Sequence, residues 1–400
     1  MTSGGAKTTR RPSIAIVVQR YGEEVNGGAE YFARLLAEHL TAIADVRVLT
    51  TCAVDYHTWA NEYPPGKSIL NGVQIERFAV DYQRARDGIE RTARILNKEH
   101  ALFDEYDWIR AQGPFSTDLF KAIRSAYVNT DLFIFITYLY APTVFGLPLV
   151  SDKAILIPHA HDEPYLKLGV MRHIFHAPQA IIYNVEPEMQ MVQSIMQNQY
   201  ITQFTAGVGI DPPQNVNPEA FRSKFAIEGD FILYVGRIDE SKNVHELLDY
   251  FIQYRTDHEV ELKLVLIGKT HVSLPDRPDI ISLGFVSEED KFNAMASALA
   301  LLQPSRYESL SLVALESWLV ETPVLVNGDS EVLKYQCRQS NGGLYYSSYD
   351  EFELALNQLI NYPDIAAVLG RQGRSFVLER FNWDVILAKF QALIETITKS

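Results

Sequence analysis

Glu308 and Glu316 stand eight positions apart in PSRYESLSLVALES (304–317), an otherwise largely apolar run. Carboxylates are costly to bury without a partner. Two of them could form a general acid/base pair, or they could grip neutral hydroxyls. ALALLQ (298–303) is strand-like, and Leu312, Leu315 and Leu319 then recur at helical spacing. A helix starting near Ser309–Ser311 puts Glu308 before its first turn and Glu316 about one and a half turns inside. The amides of Ser309, Leu310, Ser311, Leu312 and Val313 then point the same way as Glu308, and Ser309 or Ser311 could cap them. An anion on that helix start, with a carboxylate on hydroxyls at either side, matches a sugar nucleotide: sugar, pyrophosphate, ribose. In the plainer reading Glu308 complements the helix dipole and Glu316 is an exposed helix residue.

Three more clusters sit where a strand hands over to a loop. In VVQRYGEEVNGGAEYF (17–32), Gly27 and Gly28 lie just before a helix, where amides and the helix dipole favour phosphate. The pattern is neither GxGxxG nor a Walker loop, since Ala29-Glu30 stands where Lys-Ser/Thr would be. In YVGRIDESKNVHELLDYF (234–251), Arg237 and Lys242 flank a strand end and pair a planar fork with a mobile point charge, which suits a pyrophosphate. In LIPHAHDEPYL (156–166), His159, His161, Asp162 and Glu163 follow a strand. Without a second His/Cys pair at ligand spacing and without an Asp-X-Asp triplet, no metal site is expected.

The elements that must position these residues form an alternating pattern. SIAIVV (13–18), VRVLTT (46–51), LFIFIT (132–137), AILIP (154–158) and AIIYN (180–184) read as strands in the first half. FILYVG (231–236), LKLVLIG (262–268), IISLGF (280–285), ALALLQ (298–303) and PVLVN (323–327) repeat the pattern in the second. Apolar strands joined by helices such as 29–40 predict parallel sheets covered on both faces. TAGVGIDPPQNVNP (205–218) reads as a linker. The expectation is α/β: two doubly wound, Rossmann-like domains, 1–205 and 206–400, facing a central cleft and binding ligands beyond the strand ends.

Bulk properties narrow the classes. With 36 Lys+Arg against 50 Asp+Glu the net charge is −14, which speaks against non-specific nucleic-acid binding. Two cysteines make no disulfide framework, and the polar N-terminus shows no apolar signal core, so a cytoplasmic location is expected. The charge-free 132–150 stretch is long enough to cross a bilayer, but its prolines, glycine and threonines indicate a buried strand at about 132–136 leading into a loop. Arg84, Arg86, Arg91, Arg94 and Lys98 read as a solvated helix face, with weak peripheral membrane contact as the other reading.

Taken together, the ordered motifs resemble the GT-B family of retaining glycosyltransferases called family 4, or glycosyltransferase group 1. They are Asn-Gly-Gly-Ala-Glu (26–30), His-Asp (161–162), Val-Gly-Arg…Lys (235–242), Gly-Phe-Val (284–286), Pro-Ser…Glu-X7-Glu (304–316), Ser-Glu-Val (330–332), Gly-Gly-Leu (342–344) and Phe-Asn-Trp (381–383). The resemblance implies a UDP- or GDP-linked sugar donor, no metal, and a saccharide or glycolipid acceptor of the kind met in polysaccharide assembly. It implies that Gly28 (with Gly27), Arg237 and Lys242 meet the pyrophosphate and that the Ser309–Val313 amides add to them. Glu308 would bind the transferred sugar, Glu316 the ribose and the backbone near Val286 the base. His161, preferred over His159 because Asp162 follows it, would lie by the reaction centre. The last helix, about 383–398, would cross back to the first domain. Ser309-Leu310-Ser311 departs from the glycine-and-aromatic pattern usual after the first glutamate. The alternatives are a non-catalytic sugar-nucleotide-binding partner subunit, a GT-B-type sugar-nucleotide epimerase and an NAD-dependent oxidoreductase, the last weakened by the missing GxGxxG. Acceptor contacts would come from 53–66, 84–116 and 137–146. Their Tyr56, Trp59, Tyr63, Tyr138 and Tyr140 would either stack on a sugar or fill buried loops.

Overall fold

A computed structural model describes residues 10–25, 27–84 and 88–398. Residues 1–9, Asn26 of the glycine motif and Arg86 of the basic run lie outside that set. The chain divides into two compact units: unit 1 runs to Val208 and takes in the stretch from Ile386 onward, and unit 2 is Gly209–Val385.

Unit 1 is built on eight strands: β1 (Ser13–Val17), β2 (Asp45–Thr51), β3 (Gly66–Leu70), β4 (Val73–Phe78), β5 (Leu132–Ile136), β6 (Ala154–Ile157), β7 (Ala180–Tyr183) and β8 (Thr202–Thr205). Their order is β3-β4-β2-β1-β5-β6-β7-β8, parallel apart from β3 against β4. Five consecutive buried residues in LFIFI (β5) show why the sheet needs cover on both faces. The Gly28–Leu40 helix supplies part of it through Phe32, Leu35, Leu36 and Leu40.

Unit 2 has six strands, all parallel: β9 (Asp230–Val235), β10 (Leu262–Ile267), β11 (Ile280–Ser282), β12 (Leu301–Gln303), β13 (Val324–Asn327) and β14 (Gly343–Tyr346), in the order β11-β10-β9-β12-β13-β14. Leu233 at the centre of β9 registers with Val265 on one side and Leu301 on the other.

Each of the ten stretches read as a strand contains one. β3, β4, β8 and β14 were not expected. β4, VQIERF, alternates and carries two charges, and β8, TQFT, is a polar edge. The charge-free 132–150 stretch is β5, then a short Ala141–Gly146 helix where a loop was expected, then a 3-10 segment Leu147–Lys153. Among the described residues no helix is long and apolar enough to cross a membrane.

Candidate functional site

In unit 2 the chemistry collects beyond the ends of β9 and β12. Gly236 and Gly268 let the loops after β9 and β10 touch. Gly268 has φ 137°, and a Cβ there would lie 1.9 Å from the Gly236 carbonyl. The next residue, Arg237, offers its carbonyl to the Tyr234 hydroxyl at 2.6 Å. Asp239 caps the turn that follows by accepting from the Lys242 amide at 3.0 Å. Arg237 Nη2 donates to Ser241 Oγ at 3.1 Å and Nη1 lies 3.4 Å from Asp239 Oδ2, while the side chain stays about half exposed. Lys242 Nζ donates to Glu308 Oε1 at 2.7 Å, and the Glu308 side chain is only 9% exposed.

Glu308 precedes the Leu312–Leu319 helix. Ser311 is its N-cap residue but makes no side-chain cap. Its hydroxyl accepts from Gln303 Nε2 at 3.2 Å, so the capping expected of Ser311 is not seen. Glu316 is buried rather than an exposed helix residue. One of its oxygens, Oε1, accepts from Lys291 Nζ at 2.8 Å, and the other, Oε2, is buried with no hydrogen-bond partner among the described residues. Burial raises the Glu316 carboxyl above its ordinary value, and Lys291 works against that. Burial alone would lower the Lys291 ammonium, but Glu316 and Glu288 outweigh it and hold the cation charged. Val286 is half-buried in the loop before Ser287, which caps the Glu288–Ser297 helix.

Two positioning elements escaped the sequence. Lys291 lies in SEEDK, which reads as a solvated run. Glu246 ties the loops after β12 and β13 to the Val244–Asp257 helix: Asn243 and Asn327 donate to Oε1 at 2.8 and 3.0 Å, and Arg306 to Oε2 at 2.7 Å.

In unit 1, Gly27 caps the Gly28–Leu40 helix with extended backbone. A Cβ on Gly27 would meet Glu30 Oε2 at 2.2 Å, whereas Gly28 has open space around it. Glu30 is buried and held by Arg20 Nη2 at 2.6 Å and Gln19 Nε2 at 2.9 Å. His161 is partly exposed, with Nδ1 3.7 Å from Glu163 Oε1, which also accepts from the Tyr138 hydroxyl at 2.5 Å. His159 packs edge-on against Phe32 at 4.5 Å, and burial takes its imidazole down to about 3. Trp59, Thr137 and His159 all have positive φ (55°, 68° and 50°). For a β-branched threonine this is strained backbone, of the kind that gathers at functional sites. Trp59 and Tyr138 are buried, whereas Tyr56, Tyr63 and Tyr140 are partly exposed. Arg84 lies outside the Gly88–Asn97 helix that carries Arg91 and Arg94, so it is no part of a helix face. Among the described residues no cluster of three or more His, Cys, Asp and Glu side chains could hold a metal.

Residues 217–376, wholly within unit 2, match the family of glycosyl transferases group 1. An α-(1→4)-mannosyltransferase of Mycolicibacterium hassiacum is 25% identical over 230 residues, 52% of this chain and 54% of that protein. The chain thus spans about half the length of the curated relatives it matches. Among solved structures, the sucrose-phosphate synthase of Thermosynechococcus elongatus superposes with TM-score 0.72 at 18% identity over 97% of this chain and 99% of that one. HepE of Anabaena, in complex with UDP and glucose, gives 0.70 at 14% over 96% and 99%. The fold is GT-B, two parallel-sheet α/β domains.

Proposed function

We propose that this chain is a retaining, metal-independent glycosyltransferase that moves a hexose-type sugar from a UDP- or GDP-linked donor to a saccharide or lipid-linked saccharide. The observation that carries the reading is the Lys242–Glu308 pair at 2.7 Å beside the half-exposed Arg237, all at strand ends within the matched stretch. In this reading Arg237 and Lys242 take the diphosphate and stabilise the charge that develops on it as the glycosidic bond breaks, the work a metal does elsewhere. Glu308, freed from its lysine, accepts from hydroxyls of the sugar. The amides of Ser309–Val313, with no side-chain cap from Ser311, face the phosphates. Glu316 Oε2, buried without a partner, accepts from the ribose, and the backbone near Val286 holds the base. In unit 1 the Gly27–Gly28 helix start is a further anion-favouring point, and His161 is the candidate for contact with the transferred sugar. Relatives named as a mannosyltransferase and a capsular polysaccharide biosynthesis glycosyltransferase support the transfer of a sugar.

A thermal-shift panel of UDP, GDP and ADP tests this, because a ligand that binds only the folded state raises the melting temperature by mass action. One nucleotide should raise it and so fix the donor class; a response to none would overturn the reading. EDTA should leave turnover unchanged, and its loss on chelation would remove the metal-free claim.

A further inference from the structure

Unit 1 holds a second cationic centre that the donor chemistry does not use. Arg20 and Arg84 lie against the same two rings: Arg20 Cζ is 5.7 Å from the centroids of both Tyr56 and Trp59, and Arg84 Cζ is 5.1 and 6.0 Å from them. The two charges are treated differently. The buried Arg20 is matched by Glu30. Arg84 is partly buried, and its guanidinium donates to the Tyr56 carbonyl at 3.4 Å and to Gln112 Oε1. Both acceptors are neutral, and among the described residues no carboxylate forms an ion pair with Arg84. Gln112 is fixed in this role, since its Nε2 donates to Thr92 Oγ1 at 3.0 Å, which leaves the amide oxygen turned to the arginine. A guanidinium carries five N–H donors in a planar fork, so most of its donor capacity is unspent. In a protein of net charge −14 a half-buried cation with neutral partners is conspicuous, because burying a charge costs free energy that an opposite charge offsets.

The surroundings suit a sugar. Trp59, with φ 55°, is buried and turns its ring edge-on to Tyr56 at 5.5 Å and to Tyr140 at 5.7 Å. It so holds in place two partly exposed tyrosines, whose rings are apolar on the face and polar at the hydroxyl, as a sugar contact requires. The chain leads from His161 through Glu163 to Tyr165, which stacks on Trp108 at 5.3 Å. The Tyr165 phenol is pushed up by burial, Glu163 and Tyr56 and drawn down by Arg84, so the tyrosine and the arginine share one environment.

We propose that Arg84, framed by Tyr56, Trp59 and Tyr140, is the anion subsite for the acceptor, and that the sugar accepting transfer carries a phosphate or a carboxylate. The proposal rests on the glycosyltransferase reading and adds the substrate class. The transfer balances without a further reagent: an acceptor hydroxyl oxygen bonds to the anomeric carbon, the anomeric carbon–phosphate oxygen bond breaks, and the hydroxyl proton leaves with the nucleoside diphosphate. Arg84 takes no part in that exchange. It binds the acceptor's charge, and its bidentate geometry fits a carboxylate or a phosphate.

The test uses the whole chain, with a hexose conjugate of whichever nucleotide raises the melting temperature as donor and glucose, glucose 6-phosphate and glucuronic acid as acceptors. Melting temperature is read for each acceptor beside turnover. Glucose 6-phosphate or glucuronic acid should exceed glucose in kcat/KM, or in thermal shift where turnover is slow, and the better of the two distinguishes phosphate from carboxylate. Arg84→Met should remove that preference by at least about tenfold while donor KM stays unchanged, and Arg84→Lys should retain part of it. Equal response to glucose and its anionic counterparts in the unaltered protein overturns the assignment, whether or not Arg84→Met folds. So does an Arg84→Met protein that keeps the preference. A donor that still binds in those cases leaves the glycosyltransferase reading standing; if no nucleotide binds, both fall.

Discussion

The two units carry the same kind of sheet and balance charge at its strand ends in different ways. In unit 2 two glutamates each have a lysine: the partly buried Glu308 with Lys242 at 2.7 Å and the buried Glu316 with Lys291 at 2.8 Å. In unit 1 Glu30 is matched by Arg20, while Arg84 on the same two rings has, among the described residues, neutral partners only. The family signature falls in unit 2. On the proposed reading a sugar nucleotide presents the same diphosphate and ribose whatever sugar is moved, so one set of residue types and spacings would serve it in unit 2. Acceptors share no such common part and would leave no fixed motif in unit 1.

Breaking a matched pair in unit 2 should give the largest effect. On the proposed reading Lys242→Ala removes a cation that meets the leaving diphosphate, and loss of one such stabilising group costs about 100-fold in kcat. Glu308→Ala should fall in the same range, with circular dichroism unchanged. Turnover that survives either change would make the pair a structural ion pair and erase the contrast between the units. Lys291→Met is next. It leaves Glu316 buried and uncompensated, which costs about 3 kcal/mol or more in stability, seen as a lower urea midpoint together with a raised donor KM. The double variant Lys291→Met/Glu316→Leu should recover the midpoint without recovering donor affinity. Recovery of both would show that Glu316 touches no ligand.

The unit 2 site was legible because its parts are local. Gly236-Arg237 ends a strand, Lys242 follows within one turn, and Glu308 and Glu316 bracket one helix start, so spacing puts these residues at strand ends, while the roles expected of them came from the family resemblance. What spacing could not show is partnership. Lys291 reaches Glu316 across 25 positions and Glu246 reaches Asn327 across 81, pairings set only when the sheet closes. The same limit hid Arg84. In sequence it heads a basic run and reads as one more solvated charge, whereas in the fold it lies against Tyr56 and Trp59. The missed strands have a different cause. β4 buries Val73, Ile75 and Arg77 on one face but carries Gln74 and Glu76 on the other, and a search for continuous apolar runs passes over such alternation.

A gentler comparison lies within the glycine pair. At Gly27 a Cβ would come within 2.2 Å of Glu30 Oε2 and 3.2 Å of Arg20 Nη2, both already held in the buried pair. Gly27→Ala should therefore cost about 1–3 kcal/mol in urea unfolding. Gly28 has open space, and Gly28→Ala should change stability by no more than about 0.5 kcal/mol. A Gly28→Ala protein that folds normally yet loses turnover would place that amide against a ligand. Equal stability losses at both positions would mean that the Arg20–Glu30 pair does not set the helix entry.

The smallest effect concerns pH and separates His159 from His161. Burial, with the charge of His161 adding to it, takes the His159 imidazole from 6.5 to about 3 in the folded chain. Below pH 6.5 the unfolded chain therefore binds a proton at this position that the folded chain refuses. With more protons on the unfolded side, stability rises with pH between about 3 and 6.5 and is flat above. The contribution is complete above 6.5 and is lost as the pH falls. Its slope is at most about 1.4 kcal/mol per pH unit, and carboxylates add their own losses below about pH 5. The window from pH 7 to 5 is thus the one to read. There His159→Asn should show a shallower fall in urea midpoint than the unaltered protein, while His161→Asn is read by turnover, which it should lose. Parallel pH curves for His159→Asn and the unaltered protein would mean that His159 takes its proton in the folded state too, and that the packing against Phe32 does not keep it neutral.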